Sequence, residues 1–334
     1  MNEKILLAHG GGGALSRDLI RELFLGPLYN PFLAPLDDAA LLDESGRLAF
    51  TTDSYVVRPL FFPGGDIGKL SVCGTVNDLA MMGAKPAYLC LSVIIEEGLE
   101  VKQLQTIVES IRTAATEACI DIVTGDTKVV EKGKADRLFI NTAGIGRIPT
   151  GIDISSSNIL PGDHILLSGT IGDHGASVLG QRESFQFETP IESDCAPLHH
   201  LVAEMMSASE EIHALKDPTR GGLAAALNEM AEQSNLGIEI EEQRLPVQPA
   251  VQSLCGFLGL DVLHLANEGK LVAAVAGKDT LEIISRMHRH EYGRRAAFIG
   301  KFVERHPGKV VMKTRIGSRR IVSLPQGELV PRIC

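Results

Sequence analysis

The order of strand-like and helix-like segments limits the possible fold of this chain more than any other feature of its sequence. The stretch GGDIGKLSVCGTVNDLAMMGAKP has helical spacing, AYLCLSVIIEEG is typical of a buried strand, and EVKQLQTIVESIRTAATEACI predicts a long amphipathic helix. Strands are predicted next at DIVTGDTKVV and RLFINTAGIGRI. Because helices alternate with strands in both halves, the chain is predicted to have an α/β or α+β fold.

Further elements are predicted on either side of this region. The stretch AALLDESGRLAFTTDSYVV predicts two strands around the turn DESG, and ALSRDLIRELFLGPL near the start predicts a helix. HILLSG and the hairpin formed by KVVMKTR and RRIVSL are predicted strands of the second half. In that half we also expect helices near 172–182, 195–213 and 221–236, and strands near 237–242, 271–276 and 297–303.

The length of 334 residues is enough for two domains that each bury a core. The stretch PTGIDISSSNILPGDHILLSG is rich in proline, glycine and serine, and it contains the expected boundary. We therefore predict four regions, which are a glycine-rich segment with a helix at 1–36, an N-terminal domain at 37–150, a C-terminal α/β domain at 151–324, and a mobile tail at 325–334.

Charge and hydropathy exclude two classes of partner. The net charge of −10 at pH 7 argues against nucleic-acid binding, since nucleic-acid-binding domains normally present a basic face. No apolar run is long enough to cross a membrane, and the apolar part of the opening MNEKILLA is too short for a signal peptide. We therefore expect a cytoplasmic protein that binds neither membranes nor nucleic acid.

Cysteine spacing gives little support to a structural metal or a disulfide. The six cysteines form no CxxC pair, so neither a zinc ligand set nor a disulfide framework is predicted. Five of them lie in or near apolar stretches and are predicted to be small core residues. Cys334 ends the chain outside any packed context, so we expect it to be exposed. It is either an inert, frayed chain end or a reactive thiol to which another group is attached.

Acidic side chains beside small residues mark the ends of several predicted strands. Carboxylates are the hard oxygen ligands that Mg²⁺ prefers, and nucleotide phosphates complete its shell in many enzymes. The loop HGGGG, which contains Gly11 and Gly12, would allow the backbone to approach an anion closely. The candidate residues for a metal–nucleotide site are Asp38, Asp53, Asn77, Asp78, Asp126 and Lys128.

Each of these features also has an ordinary structural explanation. A single aspartate in a turn is more often a turn former, and glycine runs are mostly flexible loops. The stretch DPTRGGL could be only a helix N-terminus, with Asp217 as its cap and Pro218 at the first position. No GxxxxGK[ST] or GxGxxG fingerprint follows a predicted strand. Residue types and spacing alone therefore do not decide whether a metal–nucleotide site is present.

A set of motifs in a fixed order is more specific. The motifs are DDAAL, TTDSYVV, VCGTVNDLAMMGAKP, GDTKVV, DPTRGGLA, NEGKL and the C-terminal PRIC. Over essentially its full length the chain resembles the HypE family of hydrogenase-maturation carbamoyl dehydratases, within the superfamily of aminoimidazole-ribonucleotide synthetase and selenophosphate synthetase. NDLAMMGAKP is shared across the superfamily, whereas PRIC is specific to HypE. The resemblance implies a two-domain fold like that of aminoimidazole-ribonucleotide synthetase, with a flexible C-terminal tail.

The resemblance also implies a reaction and its participants. It implies a homodimer that binds ATP and Mg²⁺ in the region 37–150, near the subunit interface. Cys334 would receive a carbamoyl group from the carbamoyltransferase HypF, and the chain would dehydrate that group to a thiocyanate. The cyano group would then pass to iron on a HypC–HypD complex and supply the cyanide ligand of a [NiFe] hydrogenase.

The resemblance and the chemistry together imply a role for each candidate residue. The oxygen of a thiocarbamate leaves easily only after the γ-phosphoryl group of ATP is transferred to it, and this transfer needs positive charge. Glu268 would be the base that removes the N–H protons, although its setting in LANEGKL alone favours an exposed turn carboxylate. Of the others, Asp38, Asp53 and Asp78 would hold Mg²⁺, Asn77 would orient Asp78 or touch phosphate, Lys128 would stabilise the transferring group, and Asp126 would hold Lys128.

Two other functions stay open at this point. The chain could be a carrier that only presents a thiol-bound carbamoyl group, or a small-molecule amide-activating, ATP-dependent synthetase of the same superfamily with an incidental terminal cysteine. The ten residues of the tail, 325–334, span at most about 33–36 Å. A thiol on such a tail is able to visit more than one site.

Overall fold

The computed structural model describes most of the chain, namely residues 3–11, 14–36, 39–183, 190–324, 330, 333 and 334. Some predicted residues lie outside the described ones, and these are Gly12, Asp38, and the tail residues 325–329 and 331–332. No helix within the described ranges is long and apolar enough to cross a membrane.

The N-terminal domain contains a four-stranded sheet with two helices on one face. Its elements are α1 (Ala14–Leu19, continued by a π-helical segment at Ile20–Leu25), β1 (Leu48–Tyr55), β2 (Phe61–Phe62), β3 (Gly65–Asp66), α2 (Ile67–Met81), β4 (Lys85–Glu96), α3 (Val101–Glu117), β5 (Asp121–Val130) and β6 (Leu138–Arg147). The strand order is β1-β6-β4-β5. β4 and β5 are parallel, as the crossover through α3 requires, and the other pairs of this sheet are antiparallel.

Alternating burial decides which face of this sheet is covered. The odd-numbered residues of β4 from Leu89 to Ile95 and the even-numbered residues of β6 are buried. The helix α2 packs on this face, and it is buried over most of its length because it also contacts the C-terminal domain. Asp66 caps α2 by accepting hydrogen bonds from the backbone N–H groups of Gly68 and Lys69 at 2.7 and 3.1 Å.

The opposite face of the sheet is exposed in the described part of the chain. Phe50 and Ile94 are 70 % and 42 % exposed there. Asn141 lies on the same face and donates hydrogen bonds to the hydroxyls of Thr52 and Ser54 at 3.3 and 3.0 Å. A sheet face that exposes large apolar side chains is typical of an interaction surface.

The C-terminal domain is built around a seven-stranded sheet. Its elements are β7 (His164–Leu167), α4 (Asp173–Arg182), α5 (His199–Ala208), β8 (Ile212–Lys216), α6 (Gly222–Ser234), β9 (Gly237–Glu241), α7 (Pro249–Leu258), β10 (Val272–Val275), α8 (Thr280–Arg289), β11 (Ala297–Val303), β12 (Val310–Lys313) and β13 (Arg319–Val322). The strand order is β13-β12-β9-β11-β7-β10-β8. α6 packs on one face of the sheet, and α5 and α8 pack on the other.

The alternation of helices and strands agrees with the prediction, but two local predictions are wrong. Residues 40–47 form no strand, so β1 has no hairpin partner there and pairs with β6. The helix predicted over 195–213 ends at Ala208 because Ser209 has an extended backbone (φ −158°, ψ 141°). The chain then forms β8, which pairs with β10.

Candidate active site

Asn77, near the C-terminal end of α2, joins the two domains. Its side-chain amide donates hydrogen bonds to the backbone carbonyls of Ala196 and Glu268 at 3.1 and 3.3 Å. Its Oδ1 atom accepts a hydrogen bond from the backbone N–H of Leu198 at 2.8 Å. The buried amide is therefore engaged with the backbone of the C-terminal domain, which differs from the predicted contact with Asp78 or a phosphate.

Asp53 and Asp78 lie together beside this contact between the two domains, the junction. Asp53 is on β1 and faces α2, since its carboxylate accepts a hydrogen bond from Tyr55 at 3.1 Å, and Tyr55 is buried against α2. Asp78 follows Asn77 on α2 and accepts a hydrogen bond from the hydroxyl of Thr51 at 2.7 Å. Burial raises the pKa of Asp78, and the charge of Asp53 raises it further. Two of the three predicted metal ligands are thus neighbours.

A further carboxylate, Asp217, joins this pair from the C-terminal domain. Burial raises its pKa to about 7, and the charges of Asp78 and Asp53 contribute to the increase. The Asp217 residue is still partly accessible to solvent. Four carboxylates from two domains, with Glu268 described below, therefore share one junction.

Neither Asp217 nor Arg220 is among the site residues predicted from the sequence. Arg220 lies close enough to lower the pKa of both Asp78 and Cys334, so it supplies positive charge to the junction. The interpretation of DPTRGGL as a helix N-terminus is correct in that α6 begins at Gly222, but the residue at the cap is Gly221 and not Asp217. Both residues lie in DPTRGGLA, one of the family motifs, and this is the feature of the sequence that could have identified them.

The raised pKa of Asp217 predicts a pH-dependent stability. The pKa is about 7 in the folded protein against an ordinary value of 3.8, so the folded state holds this proton more tightly, and stability falls as the pH rises from about 4 to about 7. Asp217→Asn removes the ionisation. At pH 8, without ligands, we expect the variant to be more stable by about 1–2 kcal/mol, allowing for the partial exposure of the residue, or roughly 1.5–3 °C in Tm for a chain of this length.

Thermal unfolding of the ligand-free protein at pH 4.5 and pH 8 tests this prediction. The difference in Tm between Asp217→Asn and the parent protein should be present at pH 8 and small at pH 4.5. Asp121→Asn, which changes an exposed aspartate at the start of β5, is the matched control and should show no such difference. An Asp217→Asn effect of equal size at both pH values would contradict the prediction.

Glu268 is buried in the same junction, with 3 % of the residue exposed, and its Oε1 atom has no hydrogen-bond partner in the described part of the chain. Burial raises the pKa of Glu268 well above its ordinary range, and neighbouring negative groups add to this. Asp194 fixes the backbone here, because its carboxylate accepts hydrogen bonds from the N–H groups of Glu268 and Gly269 at 3.2 and 3.3 Å. The exposed turn carboxylate that the local sequence favours is therefore wrong.

The C-terminal cysteine is packed into this site. Ile333 is 6 % exposed, within a core cluster to which both domains contribute, and Cys334 packs against the same cluster. Burial raises the pKa of the Cys334 thiol well above its ordinary value, and the adjacent Glu268 carboxyl group raises it further. The expectation that Cys334 is exposed is wrong, because the apolar side chain of Ile333 docks the end of the chain.

The remaining predicted residues form a second cluster on β5. Lys128 Nζ lies 3.1 Å from the Asp126 carboxylate, and the two side chains are 65 % and 57 % exposed. The glycine stretch lies against the same strand, since a Cβ atom on Gly10 would come within 2.8 Å of Val129, and Gly11 follows it in an exposed position. A cavity of about 270 Å³ opens beside β5, and its apolar lining includes Phe24, Leu28, Phe32, Leu33, Leu91 and Ile122.

The two clusters do not meet within one chain. Across the sheet Asp53 is in register with Thr142, Leu91 and Gly125, so three strand spacings of about 4.8 Å place it about 14 Å from β5. Asp126 occupies the next position and points to the opposite, exposed face. Among the described residues, no three His, Cys, Asp or Glu side chains are grouped so that they could hold a metal ion. The predicted site is therefore divided between two edges of the sheet.

Comparison with known proteins identifies the family. Residues 36–148 and 161–313 match the N-terminal and C-terminal domains of the AIR synthase related proteins. The chain is 52 % identical to the carbamoyl dehydratase HypE of Bradyrhizobium diazoefficiens over 330 residues, which cover 98 % of this chain and 95 % of that protein. The chain belongs to the HypE family of carbamoyl dehydratases. It is also 47 % identical to HypE of Escherichia coli, with 99 % of each chain covered.

Solved structures agree with membership of the HypE family. A crystal structure of HypE in complex with ATP matches with a TM-score of 0.96 and 46 % identity, covering 98 % of this chain and 99 % of that chain. A HypE–HypF complex matches with a TM-score of 0.82 and 50 % identity, covering 94 % and 100 %. A thiamine-monophosphate kinase from Stenotrophomonas maltophilia, at 20 % identity and a TM-score of 0.65, shares the fold alone. The predicted fold and the assignment as a carbamoyl dehydratase of hydrogenase maturation are confirmed.

Proposed function

We propose that this chain uses ATP to dehydrate a carbamoyl group carried on its own Cys334, giving a thiocyanate that supplies the cyanide ligand of [NiFe] hydrogenase. The observation that carries the proposal is the position of the Cys334 thiol next to Glu268, in the junction that also contains Asp53, Asp78 and Asp217. The HypE structure in complex with ATP supports nucleotide use by a close relative.

The proposed reaction balances without an oxidant or reductant. The carbonyl oxygen of the S-carbamoyl group attacks the γ-phosphorus of ATP, and ADP leaves. The carbon–oxygen bond then breaks with loss of inorganic phosphate, while the nitrogen loses both protons and a carbon–nitrogen triple bond forms. The thiocarbamate has thereby lost one water molecule, and ATP has become ADP and phosphate. Phosphoryl transfer of this kind depends on positioning and electrostatic stabilisation.

The acidic junction has the oxygen donors that Mg²⁺ prefers. The charge of Asp53 raises the pKa of Asp78, and both charges raise the pKa of Asp217, so bound positive charge would relieve this repulsion. Asp53 and Asp78 are the proposed ligands, together with Asp38, which lies outside the described residues. When bound, Mg²⁺ would neutralise charge on the phosphoryl group during its transfer.

Glu268 is the proposed base for the N–H protons of the carbamoyl group. Its raised pKa favours the protonated form of the carboxyl group in the ligand-free protein. Positive charge entering the junction lowers that pKa, and the carboxylate formed is then able to accept a proton from nitrogen. The Oε1 atom is unpartnered in the described part of the chain, which leaves it available for this contact.

A second copy of the chain would bring the β5 cluster to the acidic junction. β1 and β5 are the two edges of the sheet, and the exposed face between them carries Phe50 and Ile94. Two such sheets packed face to face about a two-fold axis that runs parallel to the strands place β5 of one protomer beside β1 of the other. We therefore propose a homodimer in which Lys128, held by Asp126, serves the site of the partner, with the apolar cavity beside β5 receiving the adenine.

The proposed partners follow from the same chemistry. Cys334 requires a donor of carbamoyl groups, and the HypE–HypF complex supports HypF in that role. The thiocyanate requires an iron acceptor, for which a HypC–HypD complex is proposed. The proposed compartment is the cytoplasm.

Mass spectrometry of the C-terminal peptide tests the proposed function. After incubation with carbamoyl phosphate, ATP and HypF, the peptide should gain a carbamoyl group and then lose the mass of one water molecule. With a non-hydrolysable analogue replacing ATP after loading, the water should be retained. Phosphate release from ATP should depend on the loaded tail. A loaded tail that never loses water would indicate the carrier function instead.

A further inference from the structure

His174 contacts the C-terminal tail directly. It lies in the first turn of α4 and is fully buried, and its ring packs against that of Phe62 in an edge-to-face contact. Its Nε2 atom is 2.7 Å from the backbone carbonyl oxygen of Ile333, and its Nδ1 atom is 2.8 Å from Oγ of Ser193. Both ring nitrogens are therefore used, one of them by the residue that precedes the reactive cysteine.

The directions of these hydrogen bonds follow from what each partner is able to donate. Burial lowers the pKa of His174, so the imidazole is neutral and has one N–H group. The carbonyl of Ile333 only accepts, so the proton is on Nε2, and Nδ1 accepts from the hydroxyl of Ser193. Ser193 Oγ in turn accepts a hydrogen bond from the backbone N–H of Cys195 at 3.1 Å. This series of hydrogen bonds fixes both the tautomer and the orientation of the His174 ring.

The same end of α4 is bonded to the segment that leads into Glu268. The N–H of Gly172 donates to Oδ1 of Asn267 at 2.7 Å, and the N–H of Gly175 donates to the carbonyl of Ala266 at 3.0 Å. A Cβ atom on Gly175 would come within 3.1 Å of Leu265, so the helix lies close against this segment. The first turn of α4 therefore holds the tail on one side and the base-bearing segment on the other.

We propose that His174 is a positioning residue that holds the tail in its docked state and so places Cys334 beside Glu268. The role in catalysis rests on the proposed dehydration, but the role in docking does not. Because the tail must also leave the pocket to meet a carbamoyl donor, the hydrogen bond from His174 sets the balance between the docked tail and the released tail. A weaker bond favours release, and a retained bond favours docking.

Two substitutions separate the bond to the tail from the bond to Ser193. In His174→Gln the amide nitrogen reaches about as far as Nε2, so it is able to donate to the carbonyl of Ile333. In His174→Asn the shorter amide reaches about as far as Nδ1, so the bond to Ser193 is retained and the bond to the tail is lost. Iodoacetamide alkylation of Cys334 in the unloaded, full-length protein, followed peptide by peptide, reports on the released tail.

We expect Cys334 to be alkylated about tenfold faster in His174→Asn than in the parent protein, and within about twofold of the parent rate in His174→Gln. Cys119 is exposed in the same chain and serves as the internal reference, whose rate should not change. Ser193→Ala removes the hydroxyl that donates to Nδ1, so the imidazole of His174 is able to adopt either tautomer while the ring stays in place. This variant should give an intermediate rate. Equal alkylation rates for Cys334 in the Asn and Gln variants would overturn the proposal. A rate in Ser193→Ala equal to that of the parent protein would also overturn it.

A second measurement addresses catalysis separately. In His174→Asn, loading of Cys334 by HypF should be at least as fast as in the parent protein, while water loss from the loaded tail in a single turnover should be about tenfold slower. His174→Gln should restore the rate of water loss. If the alkylation result holds but neither the parent protein nor any variant loses water, the docking role stands and the proposed dehydration fails. If water loss is equal in the Asn and parent proteins, the positioning role fails.

Discussion

Replacing Cys334 by serine is expected to abolish carbamoyl loading and thiocyanate formation, by about 10³-fold or more. A serine hydroxyl is a far weaker nucleophile than a cysteine thiol near neutral pH, because only the thiol has an appreciable fraction of its anion there. The substitution changes one atom at the end of the chain, so the fold should be retained. Mass spectrometry of the C-terminal peptide, with carbamoyl phosphate, ATP and HypF present, measures both products.

The matched control is Cys119→Ser, which removes an exposed thiol after α3. It should load and dehydrate like the parent protein. A Cys334→Ser protein that still supports cyanide formation would contradict the proposed function and favour a synthetase of a small molecule. A protein that loads normally on Cys334, yet releases no phosphate from ATP, would favour the carrier.

The docked thiol has a consequence for where loading takes place. Burial and Glu268 raise the pKa of Cys334, so the docked thiol is almost entirely protonated and is a poor nucleophile. Release of the tail into water returns the pKa towards its ordinary value and increases the thiolate fraction. We therefore expect the proposed loading to occur on the released tail and the proposed dehydration on the docked tail, so the contact with His174 would affect both steps.

The sequence patterns predicted the elements of the N-terminal domain well, because burial there follows the local period of each strand and helix. The helix α2 and the strands β4, β5 and β6 agree with the predictions, since each packs on one face of a sheet in which inward and outward residues alternate. Residues 40–47 were mispredicted because a strand needs a neighbour, and local sequence does not say which segment will be adjacent.

The composition of the junction was harder to predict, because it depends on contacts between the two domains. Asp217 and Arg220 reach the site only when the C-terminal domain packs on α2, which is the contact made by Asn77. His174 had no motif role at all, and only its bond to Ile333 distinguishes it. The division of the site into two clusters follows from strand register, since Asp53 and Asp126 differ in both edge and face.

Glu268, Asp217 and Asp78 also show that grouping acidic side chains in one buried site lowers the stability of the ligand-free protein. Each has a pKa raised first by burial, so the ligand-free protein holds groups that are less favourable here than in water. Replacing one of them by a neutral amide should therefore stabilise the fold while removing function. An increase in stability together with a loss of activity distinguishes a functional acid from a structural one.

Asp53→Asn and Lys128→Ala are each expected to lower the rate of water loss from the loaded tail by about 10²-fold or more, because we propose that both side chains assist transfer of the phosphoryl group. If the site is shared between protomers, mixing the two inactive variants should restore activity. A mixed dimer then contains one site that carries both changes and one site that carries neither. Random mixing of equal amounts should recover about a quarter of the parent activity.

The matched control for this experiment is a mixture of Asp53→Asn with Asp78→Asn. Both residues belong to the same junction, where they lie on neighbouring elements of one chain. Each site of a mixed dimer then contains one damaged acid, so no activity should return. Recovery in the first mixture and none in the second would establish that Lys128 acts on the partner's junction. If the first mixture stays inactive although subunits exchange, the shared site is wrong and Lys128 has no role beyond its own protomer.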